Sequence, residues 1–280
     1  MTDRPDTRIF VDGGDPTESQ RVKDALGYLD GQTTNPSLVS KNPHIRERIA
    51  QGKLTSEELL EEYKKIVQDV SRLTPDGSVS IEVYADADTT AEAMLAQGRE
   101  MFGWIPNAHI KFPITAAGLE AAERAVADGM RVNLTLCFSQ AQAAAVYAAT
   151  REAKKGQVFV SPFVGRLDDR GERGMDVAAD IIRMYGAGDG HVEVLTASVR
   201  GVPHFRQALD LGTDIITAPA QVILDWHAGK SEPADDGKLK PISYRELDLD
   251  ADWRSFDLHH DLTDAGIEKF AADWNALLKQ

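Results

Sequence analysis
The apolar positions of this chain follow two rhythms that take turns. Short runs, several with period-two alternation, fall at 8–12 (RIFVD), 79–84 (VSIEVY), 108–112 (AHIKF), 130–136 (MRVNLTL), 157–161 (QVFVS), 192–198 (VEVLTAS) and 214–217 (DIIT), with a weaker one at 30–34 (DGQTT). After each comes a segment compatible with one helix face: 16–26, 42–71, 89–102, 115–126, 139–150, 175–185, 203–211 and 220–226. The second of these carries its own boundary. Thr55-Ser-Glu-Glu58 is a capping box, Leu54 and Leu59 stand where a hydrophobic staple needs them, and Leu59, Tyr63, Ile66, Val67 and Val70 share a face. Asn35-Pro36 stops the second strand, and 162–171 reads as a loop. Eight strand-then-helix units predict a parallel sheet closed on itself, a (β/α)8 TIM barrel over residues 8–228. A doubly wound open sheet is the alternative.

Residues 229–242 are polar, with Pro and Gly, and read as a surface loop. Beyond them Ile267, Phe270, Ala271, Trp274 and Leu278 have amphipathic helical spacing, with Thr263 as the candidate cap. Residues 229–280 are therefore expected as a C-terminal loop and helix packed on the barrel or on a partner subunit, within a single domain of 1–280. That helix leaves a homo-oligomer open.

Composition narrows the function classes. The 280 residues carry 31 Lys and Arg against 45 Asp and Glu, a formal charge of −14. Such a balance disfavours nucleic acid and anionic membrane as partners. No apolar stretch reaches the length of a membrane span, and the N-terminus has no signal-like apolar core. The one cysteine, Cys137, excludes an intramolecular disulfide. Together these predict a cytoplasmic protein.

Candidate chemistry centres on Lys111, flanked by Ile110 and Phe112. In a strand the amine points to one face and the apolar pair to the other. A buried amine loses its preference for the charged form and becomes a nucleophile able to form a Schiff base; the plainer reading is a lysine with its stem packed and its amine in water. In a parallel barrel chemistry sits at the C-terminal strand ends. Those ends carry Asp12, Thr33 with Asn35, Glu82, Lys111, Asn133 with Thr135, Ser161, and Ser198 with Arg200. An amine needs a carbonyl electrophile and a proton shuttle, which Asp12 or Glu82 can supply. Asn35, Asn133 and Ser161 can hold hydroxyls, and Arg166 and Arg200 can hold a phosphate by charge-assisted hydrogen bonds. A carbonyl, hydroxyls and a phosphate describe a ketose phosphate. Several of these residues also have a purely local use: Asn35 as a strand terminator, Arg166 as a surface partner of Asp168 or Asp169.

The motifs TTNPS at 33–37, IKFP at 110–113, NLTLCF at 133–138, SPFVGRLD at 161–168 and ASVR at 197–200 resemble, in order and spacing, those of the transaldolase family. The resemblance covers residues 8 to 226. It implies a Schiff-base lysine at Lys111 on the fourth strand, Asp12 as acid/base, and Glu82 with Thr135 around a proton-shuttling water. It further implies Asn35 and Asn133 on sugar hydroxyls, with Thr33 in the same motif. Ser161 falls at a terminal hydroxyl, Phe163 in the pocket wall, and Arg166, Ser198 and Arg200 on the phosphate. The expected partners are sugar phosphates such as sedoheptulose 7-phosphate or fructose 6-phosphate, and no metal or organic cofactor is called for. Members similar to fructose-6-phosphate aldolase carry Gln in place of Glu82 and Tyr in place of Phe163, so the likeness is nearer to true transaldolases. Two other readings stay open: a lyase releasing free dihydroxyacetone, and a non-catalytic sugar-phosphate-binding barrel. His259-His260-Asp261 lacks the spacing of a metal motif.

Overall fold
Eight strands, each short and flanked by a helix-compatible segment, leave one way to bury both their faces: inner side chains against one another, outer ones under helices. The computed structural model describes residues 4–230 and 237–279 and shows this arrangement. Strands β1 (Arg8–Asp12), β2 (Gly31–Thr33), β3 (Ser78–Glu82), β4 (Ala108–Pro113), β5 (Val132–Cys137), β6 (Val158–Pro162), β7 (Val192–Thr196) and β8 (Ile215–Ala218) pair in parallel, in sequence order, into a closed barrel. The protein is a (β/α)8 TIM barrel.

Around it lie α1 (Pro16–Leu26), α2 (Pro36–Val39), α3 (Pro43–Ala50), α4 (Ser56–Leu73), α5 (Ala91–Phe102), α6 (Ala116–Ala127), α7 (Gln140–Ala149), α8 (Val164–Asp168), α9 (Gly174–Tyr185), α10 (Val202–Asp210) and α11 (Ala220–His227). A 3-10 turn (Trp253–Ser255) and α12 (Asp261–Asn275) follow. Local chemistry sets many of the boundaries. The Thr55/Glu58 capping box opens α4, and Thr90, Thr115 and Ser139 cap α5, α6 and α7 through their hydroxyls. Period-two alternation then sorts each strand. Ile110 and Phe112 are wholly buried on the outer face of β4, where Gly98 of α5 leaves room for them, while His109 and Lys111 face inward.

Four local expectations are corrected. Residues 162–171 are not all loop, because α8 forms there; its first turn is tied to the end of β7 by Val164 N–H to Ala197 O at 3.1 Å and Gly165 N–H to Ser198 O at 3.1 Å. A short α2 follows Asn35, whose side chain accepts the Leu38 N–H at 2.9 Å. The alternation of β5 breaks at a bulge, with Leu136 in the left-handed region at φ 60. Thr263 does not cap the last helix. His260 does, and the Thr263 hydroxyl turns inward to donate to Leu136 O at 2.9 Å.

The C-terminal segment runs as a strap around this chain's own barrel. Lys240 exchanges backbone bonds with Arg173 and Gly171, Gln140 holds Ser243 O and the Arg245 N–H, Arg151 reaches Leu249 O and Ala251 O, and Arg183 stacks on Tyr244. The chain then returns to the C-terminal mouth, where α12 packs on α2 and β5. Gly266 permits the close approach: a Cβ there would fall 2.7 Å from both Leu136 and Arg166 side-chain atoms.

Candidate active site
The inner faces of β3, β4 and β5 meet in register: Glu82 lies beside Lys111, Lys111 beside Asn133, and Thr135 beside Pro113. Lys111 is 3% exposed and Glu82 5%, with Lys111 Nζ 2.7 Å from Glu82 Oε2. That contact is an ion pair whose angle falls short of a directed hydrogen bond. Glu82 Oε2 therefore lacks an aligned donor among the described residues, as does the buried Thr135 Oγ1 among its neighbours. Lys111 Nζ donates instead to Thr34 O at 2.9 Å. Burial raises the Glu82 carboxyl above the usual carboxylate range, with the Lys111 charge opposing. A buried amine and carboxylate in contact, on strands next to that of a hydroxyl with free bonding capacity, can pass a proton to a water or a ligand.

A phenol from the outer layer braces this pair. Tyr63 of α4 is wholly buried; its hydroxyl accepts the Glu82 N–H at 3.0 Å and bonds the Thr34 hydroxyl, which itself donates to Ser80 O at 2.7 Å. One side chain thus holds both partners of the lysine. From sequence Tyr63 counted only as an apolar-face residue; its spacing carries no signal for the hydroxyl.

Asp12, at the end of β1, accepts from Thr33 Oγ1 at 2.8 Å, and Thr33 Oγ1 lies 2.6 Å from Thr217 Oγ1 on β8. Burial raises the Asp12 carboxyl, and the Lys111 charge and the Thr33 hydrogen bond only partly offset it. Thr217 escaped the sequence reading, although its inward position in 214–217 was the available signal. Below, Ser161 Oγ donates to Asn133 Oδ1 at 2.7 Å, and Asn133 Nδ2 donates to Ser80 Oγ at 3.1 Å, which holds the amide between β3 and β6.

Above these groups opens a cavity of about 480 Å³, lined by Asp12, Asn35, Phe163, Arg166, Ser198 and Arg200 among others, and roofed by Leu262 and Phe270 of the C-terminal segment. Arg166 stacks between the Phe163 and Phe270 rings, at 5.5 and 5.3 Å. It makes no hydrogen bond or ion pair among the described residues, and burial lowers its pKa. The carboxylates of Glu82, Asp169 and Asp12 act on it through space, but none bonds it directly among the described residues, so its donors are free to take an anion. Arg200 sits nearby, paired with Asp169. Ser198 holds a left-handed φ of 59, a strained conformation for a residue with a Cβ. All twelve sequence-selected residues thus lie at the C-terminal end of the barrel or in the pocket above it.

This geometry can be set beside known proteins. The sequence matches the model of the family described as Transaldolase/Fructose-6-phosphate aldolase over residues 9–280. The chain belongs to that family. Its relatives include probable transaldolases of Dehalococcoides mccartyi, 35% identical over 97% of this chain and 100% of that protein, and of Brucella anthropi, 35% identical over 95% of this chain and 96% of that one. A third, from Anaeromyxobacter dehalogenans, is 35% identical over 97% and 98%.

His259 and His260 each have a local partner. His260 caps α12 and stacks on Phe138 at 5.1 Å, and His259 makes an exposed contact with Asp264 at 3.3 Å. Among the described residues no helix is long and apolar enough to cross a membrane.

Proposed function
We propose that this family member is a transaldolase, moving a dihydroxyacetone unit from a ketose phosphate to an aldose phosphate through a Schiff base on Lys111. The observation that carries the reading is the buried Lys111 amine in contact with Glu82, whose Oε2 and the Thr135 hydroxyl are left without aligned partners.

The steps follow from the placement of groups. Lys111 Nζ, after giving a proton to Glu82 through a water held by Glu82 and Thr135, adds to the ketose C2 carbonyl. The same water carries protons as the carbinolamine loses its hydroxyl and becomes an iminium. Asp12 takes the proton of the C4 hydroxyl, the C3–C4 bond breaks, and its electron pair flows into the iminium to leave an enamine and a free aldose. A second aldose aldehyde accepts the enamine carbon, Asp12 returns its proton, and water hydrolyses the imine. Asn35, Asn133 and Ser161 hold hydroxyls, with Thr33 orienting Asp12. Phe163 forms a wall, and Arg166, Ser198 and Arg200 hold the phosphate. Glu82 and Phe163, in place of the Gln and Tyr of fructose-6-phosphate aldolase-like members, support transfer over release.

Borohydride reduction in the presence of fructose 6-phosphate tests the mechanism. The expected result is a stable adduct that peptide mapping places on Lys111; an unmodified lysine leaves a non-catalytic sugar-phosphate binder. Omitting the aldose acceptor tests the reaction class, since glyceraldehyde 3-phosphate accumulating over many turnovers without acceptor identifies a lyase.

A further inference from the structure
The two arginines of the anion pocket stand on different elements, Arg166 on α8 and Arg200 on the loop after β7, and one side chain outside the pocket adds a bond between them. His204 is the third residue of α10. Its Nδ1 accepts the backbone N–H of Arg200 at 3.3 Å, so Nδ1 is unprotonated and the ring proton is on Nε2. Nε2 donates to Asp168 Oδ2 at 2.6 Å. Asp168 is the last residue of α8, two positions after Arg166, and its other oxygen accepts the Gly174 N–H at 2.8 Å at the start of α9. The side chains of His204 and Asp168 are 15% and 19% exposed, so water competes weakly for these bonds.

A capping box reaches from the third helical position to the N–H of the N-cap, which in α10 is Gly201; His204 reaches one residue further, to Arg200. Capping alone does not require the second bond, which crosses to the Arg166 element. We infer that His204 is a positioning residue for the anion clamp: it fixes the backbone of Arg200 relative to α8, so that both guanidiniums address one phosphate. This rests on the reading of Arg166 and Arg200 as the phosphate-holding pair. The backbone bonds from Val164 and Gly165 already join α8 to Ala197 and Ser198, and His204 adds a tie at Arg200 itself, past the last of those bonds. Ser198 is in a strained left-handed conformation, Gly201 follows Arg200, and the Arg200 head is held only by the exposed Asp169 carboxylate. Misplacing such a fork by a fraction of an ångström loses bidentate contact with an anion.

Inorganic phosphate binding, read by calorimetry on the whole protein, and the ratio of kcat/KM for fructose 6-phosphate to that for unphosphorylated fructose give two readouts. In His204→Ala the phosphate Kd is expected to rise about tenfold and the ratio to fall by a similar factor. His204→Asn, which keeps an acceptor near the Arg200 N–H, is expected to recover much of both. Asp168→Asn, which cannot satisfy His204 and Gly174 together, is expected to lower the ratio severalfold and serves if His204→Ala fails to fold. Wild-type protein that does not bind phosphate rejects the clamp itself and this inference with it. Wild-type binding with unchanged Kd and ratio in the variants, even with lowered melting temperature, rejects the positioning role alone.

Discussion
Both ends of the barrel pair a buried acid with a base, and both open on a cavity. At the N-terminal end Arg8 and Glu193 lie 2.8 Å apart beside a cavity of about 290 Å³. At the C-terminal mouth Lys111 and Glu82 lie 2.7 Å apart; the larger cavity there is lined by Asp12 and Arg166, whose charges both act on Glu82. In each pair a carboxylate oxygen touches its cation without an aligned hydrogen bond. Buried pairing therefore does not distinguish the two ends, and by itself it is weak evidence of anything. The neighbours distinguish them. Around Arg8, His109 uses both ring nitrogens, on Ser78 Oγ at 2.7 Å and Gly156 O at 3.1 Å, and stacks on Phe159 at 4.0 Å. Burial pushes its pKa down to about 3, so it is neutral. Arg131 donates to Ala108 O and Pro106 O. Around Lys111, by contrast, the Thr135 hydroxyl has no hydrogen-bond partner and Arg166 no direct ion pair among the described residues. The neighbours of the first pair bond to one another and to backbone, those of the second are left with free bonding capacity, and the only nucleophilic amine among the four charges is there.

The comparison breaks most visibly at the lysine. Lys111→Met is expected to lower transfer activity at least about 10³-fold and to abolish borohydride trapping, since Lys41 and Lys269, the lysines that line the cavity, are exposed. Activity retained within tenfold would remove the imine from the mechanism. Next in size, Arg166→Met is expected to lower kcat/KM for a phosphorylated ketose about 30-fold, the worth of one charge-assisted contact. Arg200 stays in place, so binding weakens without vanishing; an equal loss with an unphosphorylated ketose would show that Arg166 serves packing between Phe163 and Phe270 instead.

A smaller effect is expected at the N-terminal end. Glu193→Gln removes the partner of Arg8, which is 35% exposed and so keeps part of its hydration. Stability should fall by about 1 kcal/mol, read by urea titration, with kcat within twofold of the parent. A tenfold fall in kcat would mean that the two ends are mechanically coupled and that the contrast drawn above is false.

Much of this contrast is legible in the sequence, for a physical reason. Alternation in 108–112 and 130–136 places Lys111, Asn133 and Thr135 on inner faces because a strand offers only two. Strand order places their ends at one rim because parallel units share a direction. What stays hidden depends on register and on tertiary reach. The bulge that turns Leu136 towards α12 leaves no mark on the apolar pattern. Tyr63 belongs to a helix face that is apolar by every count, yet its hydroxyl passes between strands to Glu82 and Thr34. His204 reads as one more polar residue near a helix start until Asp168 is seen across from it. The Arg8–Glu193 pair was present in the same strand alternation but offered no chemistry to single it out.

The smallest expected effect separates the cost of the C-terminal mouth from its function. Burial holds the Asp12 carboxyl above its ordinary value, and Lys111 and Thr33 only partly counter it. Between the unfolded value, near about 3.9, and the higher folded value, the native state binds more protons than the unfolded chain. Stability therefore falls as pH rises through that window, and above it the folded protein carries the whole penalty. Asp12→Asn removes the charge and keeps the shape. At pH 7 the variant should melt about 2 °C higher than the parent, and the difference should shrink towards zero at about pH 4, below which both carboxyl states are protonated. Activity should move the other way: the variant loses the base, and in the parent kcat/KM should begin to fall on acidification at a higher pH than an ordinary carboxylate gives. A variant that melts lower at pH 7 would mean that attraction to Lys111 outweighs burial at Asp12. The carboxylate would then be a structural partner of the lysine, and the mouth would resemble the N-terminal end after all.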